Sequence, residues 1–210
     1  MNEPLPTPRK RPKQQRSRLL FSSIKEACQK IIETEGEDKL TIARIAEVCG
    51  IAVGSFYQYF PNVEAVLSEI YLDQMPTPGE IVLDLSRLAK RSSSLEGAIR
   101  GIIEYGLFFH GRRLSFNKAY YQKYHQHYHP LNRYKSHKVY SKCVQIYCDL
   151  LEHYQHSRGI ENIELKGFLL MEILGTSMHE MMDQYPDLWN SEAFSQVLFS
   201  TCMGLIDPKH

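Results

Sequence analysis

The sequence predicts an all-α protein, in which an amino-terminal three-helix domain with a helix-turn-helix precedes a larger helical bundle. Three observations predict this class. Apolar residues recur at helical spacing along most of the 210 residues. No stretch alternates apolar and polar residues over a convincing strand length. In the segment Thr41 to Phe60, two short helical patterns are separated by a glycine, as in a helix-turn-helix.

Residues 1–15 are expected to form a disordered basic arm, because they hold four prolines and no apolar periodicity. Residues 1–25 carry seven Lys or Arg against one acid, although the whole chain has a net charge of only +1. Such an arm is either a solubilising tail or a segment that lies along DNA phosphates or in the adjacent minor groove. Arg16, directly after it, is a candidate DNA contact.

The first helix is predicted from Arg16 to Thr34 and ends at Gly36. Its inner stripe repeats at helical spacing and consists of Leu20, Ile24, Ala27, Cys28 and Ile31.

The next two helices form the turn motif. Thr41 is a suitable N-cap because its hydroxyl can accept a backbone N–H of the first turn. Gly50 follows the apolar stripe at the position where a left-handed C-cap is expected. The second helix begins near Val53 and directs Phe56 and Phe60 inward. The alternative is an αα-hairpin that packs without binding DNA.

The outer surface of the second helix carries the side chains expected to meet DNA. Val53 can touch a thymine methyl and Gln58 can pair with adenine, whereas tyrosine hydroxyls can bond phosphates. Gly54 suggests a close approach of the backbone. The complete candidate set is Arg16, Thr41, Arg44, Val53, Gly54, Ser55, Tyr57, Gln58 and Tyr59.

Residues 40–66, LTIARIAEVCGIAVGSFYQYFPNVEAV, resemble the amino-terminal domain of the TetR family of transcriptional regulators, and the likeness extends over about residues 17–67. The resemblance implies a homodimer on a palindromic double-stranded DNA operator. It also implies a repressor released by a small, largely apolar effector, with the last two helices of each protomer forming the dimer interface. Ala43, Val63 and Glu37 depart from the family pattern, and the first two remove polar contacts to DNA.

The remaining chain divides at Met75 to Gly79, where prolines and a glycine break the helical pattern. We therefore expect a helix-turn-helix domain over 16–62, a connecting helix over 63–75 capped by Asn62, and an effector-binding and dimerisation domain over 76–210. Further helices are predicted over 80–90, 95–110, 116–128, 131–156, 164–183 and 192–206. The pair 116–128 and 131–156 is either two helices or one long helix kinked at Pro130.

An effector pocket is expected in the segment from Tyr105 to Tyr140, which is rich in aromatic residues and histidine. Its candidate residues are Tyr105, Phe109, Tyr120, Tyr124, Met171 and Met178. Aromatic packing with hydrated edges is the alternative. His125 and His129 are four residues apart, as a metal pair on a helix could be, but we expect solvated histidines instead. No metal or cofactor is assigned.

Other classes of protein find little support in the residues. No nucleophile–base set, di-iron pair or glycine-rich phosphate loop is present, so an enzyme is not expected. Five cysteines without a metal-like pattern indicate reduced thiols. No apolar segment of membrane-spanning length occurs, and the protein is expected to be cytoplasmic. Control by a protein partner or a metal remains the alternative to an organic effector.

Overall fold

The computed structural model describes residues 3–75, 77–128, 138–185 and 187–207. Within these ranges every regular element is helical and no strand occurs, which confirms the all-α class. The helices are α1 (Gln15–Glu35), α2 (Ile42–Cys49), α3 (Val53–Tyr57), α4 (Val63–Asp73), α5 (Pro78–Arg91), α6 (Leu95–Phe116), α7 (Lys118–Tyr124), α8 (Lys138–Arg158), α9 (Ile163–Gln184) and α10 (Glu192–Ile206). Two single-turn 3₁₀ helices cover Glu37–Lys39 and His125–Tyr128.

The first compact unit consists of the chain up to Met75 together with Arg113–Tyr124. Helix α1 packs against α2 and α4, and α2 packs against α3. Fully buried side chains on these helices form the core, because each short helix has too little apolar surface of its own. They include Ile24, Ile31, Ile45 and Phe56, and Phe60, which follows α3, is buried with them.

Residues 113–124 belong to this unit, although the sequence groups them with the range 76–210. Helix α6 extends to Phe116, beyond the predicted end at His110. Asn117 then starts α7, because its side-chain oxygen accepts a hydrogen bond from the N–H of Tyr120 at 2.8 Å. The predicted helix start at Leu131 and the kink at Pro130 lie outside the described residues.

The second compact unit consists of Pro76–Arg112 and His125–His210. Helix α5 begins two residues earlier than predicted, because Thr77 and Glu80 form a capping box. The N–H of Thr77 donates to the Glu80 carboxylate at 2.6 Å, and the N–H of Glu80 donates to the Thr77 hydroxyl at 3.3 Å.

Helix α8 packs on α5 and on α9, and α9 packs on α10. Gly167 permits a close approach of α8 and α9. A β-carbon there would lie 2.5 Å from the sulfur and 3.1 Å from the backbone nitrogen of Cys148. Small size at this position therefore serves packing within the second unit.

Candidate nucleic-acid interface

The turn between α2 and α3 follows from two capping residues. The hydroxyl of Thr41 accepts a hydrogen bond from the N–H of Arg44 at 3.2 Å and fixes the start of α2. Gly50 ends α2 in the left-handed conformation, with a φ of 65°. The N–H of Ile51 then donates to the carbonyl of Ala46 at 2.9 Å. Both predicted caps are confirmed, and they set the direction in which α3 leaves the turn.

Helix α3 has an inner and an outer face, as a recognition helix requires. Phe56 is fully buried, whereas Val53 is 43% and Tyr57 is 41% exposed. Gly54 and Gln58 are also exposed, and Ser55 is half-buried. The outer face is therefore short, apolar at its start and without charge, as the sequence predicts.

Tyr59 does not lie on this outer face, so its predicted orientation is wrong. Its side chain is only 6% exposed. Helix α3 ends at Tyr57, and the N–H groups of Tyr59 and Phe60 both donate to the carbonyl of Phe56. This turn directs the ring of Tyr59 back to α1, where it meets Phe21 edge-to-face with ring centroids 6.1 Å apart.

Arg44 is held by two carboxylates of its own unit. Its guanidinium lies 2.8 Å from Glu35 and 2.8 Å from Glu47. The hydrogen bond to Glu35 is the main cause that raises the pKa of Arg44, and the same bond lowers the pKa of the Glu35 carboxyl. Arg44 would have to leave these partners, or share them, to contact a phosphate.

The basic arm is exposed and continues into α1. Lys13, Arg16 and Arg18 are exposed and have no acidic partner within the part of the chain that the structure describes. A cavity of about 300 Å³ lies between the arm and α1. It is lined by Arg11, Pro12, Arg18, Phe21, Ser22 and Lys25. This concentration of positive charge is typical of a surface that meets a nucleic-acid backbone.

The predicted effector residues fall in both compact units. Tyr120 and Tyr124 are buried in the first unit, where Tyr120 stacks on Tyr71 at 5.0 Å and the Tyr124 hydroxyl donates to Glu64 at 3.0 Å. In the second unit, Tyr105 bonds Asp84 at 3.0 Å. Met178 is buried beside Gly106, and Met171 is half-buried. The side chain of Phe109 lies outside the described residues.

A different cavity, of about 280 Å³, lies between α5 and α8 in the second unit. None of the six predicted effector residues lines it. Its lining consists of Ser86, Ala89, Lys90, Ser92, Ile146, Asp149, Leu150, His153 and Tyr154. Their helical spacing is visible in the sequence, but the sequence does not show which face of each helix its neighbours leave uncovered.

Two further expectations concern metals and membranes. Among the described residues, no group of three or more His, Cys, Asp or Glu side chains is arranged to hold a metal ion. His129, one of the two histidines with the spacing of a metal pair, lies outside those residues. None of the described helices combines the length and the hydropathy that crossing a membrane requires.

The fold and the turn geometry define a helix-turn-helix protein. Residues 24–70 match the family model described as bacterial regulatory proteins, tetR family. This match confirms the TetR-family resemblance for the amino-terminal domain. No curated protein matches it in sequence.

Several solved structures match nearly the whole length of the chain. A transcriptional regulator from Cytophaga hutchinsonii is 14% identical, covers 91% of this chain and 95% of its own, and has a TM-score of 0.51. The fatty acid degradation regulator FadR from Bacillus halodurans is 15% identical, with coverages of 93% and 96% and a TM-score of 0.45. The TetR-family regulator PfmR from Thermus thermophilus is 15% identical, with coverages of 93% and 97% and a TM-score of 0.44. At 14% identity, the similarity to the Cytophaga hutchinsonii regulator shows a shared fold alone.

Proposed function

We propose that this protein is a cytoplasmic, homodimeric repressor that binds a palindromic DNA operator and is released by a small molecule bound in its second unit. The observation that carries the DNA-binding part is the two-sided α3, with Phe56 fully buried and Val53, Gly54, Tyr57 and Gln58 exposed. A helix anchored on one face and uncovered on the other can enter a major groove.

The chemistry of this face favours few direct base contacts. Gln58 is the exposed side chain suited to a bidentate contact with adenine, and Val53 is suited to a thymine methyl. Phosphate contacts from the arm and from the start of α1 would supply much of the affinity. Arg16 and Lys13 are suited to that role because no acid of the described chain neutralises them.

Selection of binding sites from a random DNA duplex library with the full-length protein tests the proposal. We expect enrichment of two-fold symmetric sequences. Gln58→Ala should weaken binding to the selected site by about 1–3 kcal/mol and relax one base position in each half-site. Gln155→Ala, an exposed glutamine on α8, is the matched control. Failure to enrich any sequence would refute the proposal.

The dimer is supported by an exposed apolar surface on the last two helices. Leu165 and Phe168 on α9 are 58% and 42% exposed, and Val197 on α10 is 65% exposed. Large exposed apolar side chains on neighbouring helices are typical of a protein interface. Gly167, Leu174 and Met178 on α9 are buried in the second unit instead.

Native mass spectrometry and sedimentation should report a dimer for the wild type. Val197→Asp should shift it toward monomer, because it places a charge in an apolar interface. Leu83→Asp changes a similarly exposed residue of α5 and should leave the dimer intact. A wild type that stays monomeric at all concentrations would exclude this interface.

For the effector, the cavity between α5 and α8 supports a small acid with an apolar body. Ile146 and Leu150 supply a buried apolar floor. The ammonium of Lys90 has no ion-pair partner among the described residues, whereas the carboxylate of Asp149 already accepts from Gln145 at 2.8 Å. Lys90 is therefore the rim cation that an acid could pair with.

Thermal shift measurements with matched panels of short carboxylic acids, their amides and the corresponding amines would test this chemistry. We expect stabilisation by acids only, and its loss in Lys90→Ala. Lys142→Ala, an exposed lysine elsewhere on α8, should respond as the wild type does. A relevant effector must also shift the balance between DNA-bound and released states. If amines stabilise and acids do not, the proposed class is wrong.

A further inference from the structure

The basic arm is not disordered over its described length, because three consecutive residues contact Tyr59, just after α3, and Glu69 on α4. The N–H of Arg9 donates to the carbonyl of Tyr59 at 2.7 Å. The ammonium of Lys10 lies 5.1 Å from the centroid of the Tyr59 ring. The guanidinium of Arg11 lies 2.8 Å from the carboxylate of Glu69 on α4. Composition alone predicts a free tail, and these contacts contradict it.

Glu69 gives the last contact unusual weight. Its side chain is 5% exposed, whereas Arg11 is 72% exposed. A buried carboxylate is costly unless a cation or hydrogen-bond donors compensate it. Within the described chain Arg11 is the only donor to that carboxylate. The buried carboxylate on α4 therefore requires a cation, and Arg11 of the arm supplies it.

A further contact lies near the start of the arm. The ammonium of Lys123 lies 3.1 Å from Glu3 and 3.1 Å from Glu64. The arm is thus held near α7 at Glu3, at the end of α3 by Arg9, and on α4 by Arg11. Between these attachments and the start of α1, the side chain of Lys13 stays exposed.

We propose that Glu69 is a positioning residue for DNA binding, which holds the basic arm in place through Arg11 so that the neighbouring cations meet the DNA backbone without first being ordered. This inference rests on the proposed DNA-binding function. A segment already fixed in its bound conformation loses less conformational entropy when it binds. Glu69 would therefore increase affinity for a polyanion although it is itself an acid.

The sign of this effect makes the inference testable. Removing an acid from a DNA-binding unit should strengthen DNA binding by simple electrostatics. Glu69→Gln should instead weaken it, because the arm is released. Glu33→Gln is the matched control, since Glu33 is an exposed residue of α1 with no hydrogen-bond partner among the described residues. It removes the same charge from the same unit.

The affinity of full-length protein for a fluorescein-labelled mixed-sequence DNA duplex would be measured by anisotropy over a range of salt concentrations. We expect Glu69→Gln to weaken binding about threefold to tenfold and to reduce the salt slope by about one to two. Glu33→Gln should bind as tightly as the wild type or more tightly. Equal affinities of the two variants would overturn the inference.

A double-mutant cycle distinguishes positioning from a direct phosphate contact by Arg11. Arg11→Ala should weaken binding in the wild type but change little in the Glu69→Gln background. A loss of the same size in both backgrounds would mean that Arg11 contacts DNA itself. Arg11→Lys keeps a cation for the Glu69 carboxylate and keeps the test valid if Glu69→Gln or Arg11→Ala fails to fold. It should bind DNA within about twofold of the wild type, and a loss as large as that expected for Glu69→Gln would overturn the inference.

Limited trypsin digestion provides a readout without DNA. We expect cleavage after Arg9, Lys10 and Lys13 to be slow in the wild type and in Glu33→Gln, and faster in Arg11→Ala and Glu69→Gln. Unchanged cleavage in both arm variants would refute the docking. If the wild type binds no duplex at any salt concentration, the proposed function fails, while the digestion still decides whether Glu69 holds the arm.

Discussion

The hydroxyl of Tyr71 forms two hydrogen bonds with the backbone of Asn117. It donates to the carbonyl oxygen at 3.0 Å and accepts from the N–H at 3.1 Å. Both residues are buried, and the pair joins α4 to the turn before α7 within the first unit. A single side chain therefore satisfies two backbone groups that water cannot easily reach.

Replacement of Tyr71 by Phe keeps the ring but removes both bonds. We expect the free energy of unfolding to fall by about 1–3 kcal/mol, because buried polar groups lose their partner. Urea denaturation would measure the change. Tyr57→Phe is the control, since that ring is exposed and its hydroxyl has no hydrogen-bond partner among the described residues. Equal stability of the two variants would contradict the role of Tyr71.

Two glycines of the helix-turn-helix should respond to alanine with opposite signs. Gly54→Ala should stabilise the fold by up to about 1 kcal/mol, because a β-carbon there meets open space and favours the helix. Gly50→Ala should destabilise it by about 1–2 kcal/mol, because its φ is 65°.

The DNA affinity of Gly54→Ala then tests the role of Gly54. If the backbone approaches the bases at this residue, Gly54→Ala should bind DNA more weakly despite its higher stability. Thermal melting and anisotropy on the same samples would separate the two effects. An affinity equal to that of the wild type would show that the backbone does not come close to DNA there.

The ion pair between Glu35 and Arg44 should make stability depend on acid pH. The hydrogen bond from Arg44 lowers the pKa of Glu35 from its ordinary value of 4.5. Its contribution to stability is therefore present above pH 4.5 and is lost as pH falls through the lowered pKa of the folded state. Glu35→Gln should be less stable than the wild type near neutral pH, and the difference should shrink on acidification.

Urea midpoints measured from neutral pH down to below pH 4 would follow this difference. Glu33→Gln serves as a control for loss of an exposed carboxylate on the same helix. A gap between Glu35→Gln and the wild type that stays constant over this range would exclude the linkage.

The five cysteines should differ in reactivity. Burial raises the pKa of the Cys28 thiol to about 12, with a smaller contribution from Cys49, and burial raises that of Cys202 to about 12. Because the thiolate is the reactive form, both should resist iodoacetamide in the folded protein. Cys49 is half-exposed and should react first. Peptide mass spectrometry would report the order, and urea should make all five react.

Local chemistry explains what the sequence could predict. Thr41 and Asn62 accept a backbone hydrogen bond in the first turn of a helix, and Gly50 ends a helix. Each of these roles involves only residues a few positions away, so all three caps can be recognised from the sequence alone. The inward direction of Phe56 follows from helical periodicity in the same way. The buried position of Tyr59 could not be predicted in this way, because α3 ends at Tyr57 and helical periodicity does not apply after it.

Long-range packing explains the rest. The tyrosines of α7 suggest a ligand pocket by composition, but Tyr120 packs on Tyr71, which lies on α4. The arm has the composition of a disordered tail, and its order depends on Glu69, 58 residues beyond Arg11. Neither pairing leaves a periodic signal in one sequence, so composition and spacing could not reveal them.

The close contact between α8 and α9 at Gly167 links packing inside the second unit to the proposed dimer interface. Helix α9 touches α8 at Gly167 and exposes Leu165, two residues before that glycine, and Phe168, directly after it. In the proposed dimer, any side chain added at Gly167 would push α9 away from the unyielding backbone at Cys148. Subunit affinity could therefore be retuned, in evolution or by engineering, through a residue that the other protomer never contacts.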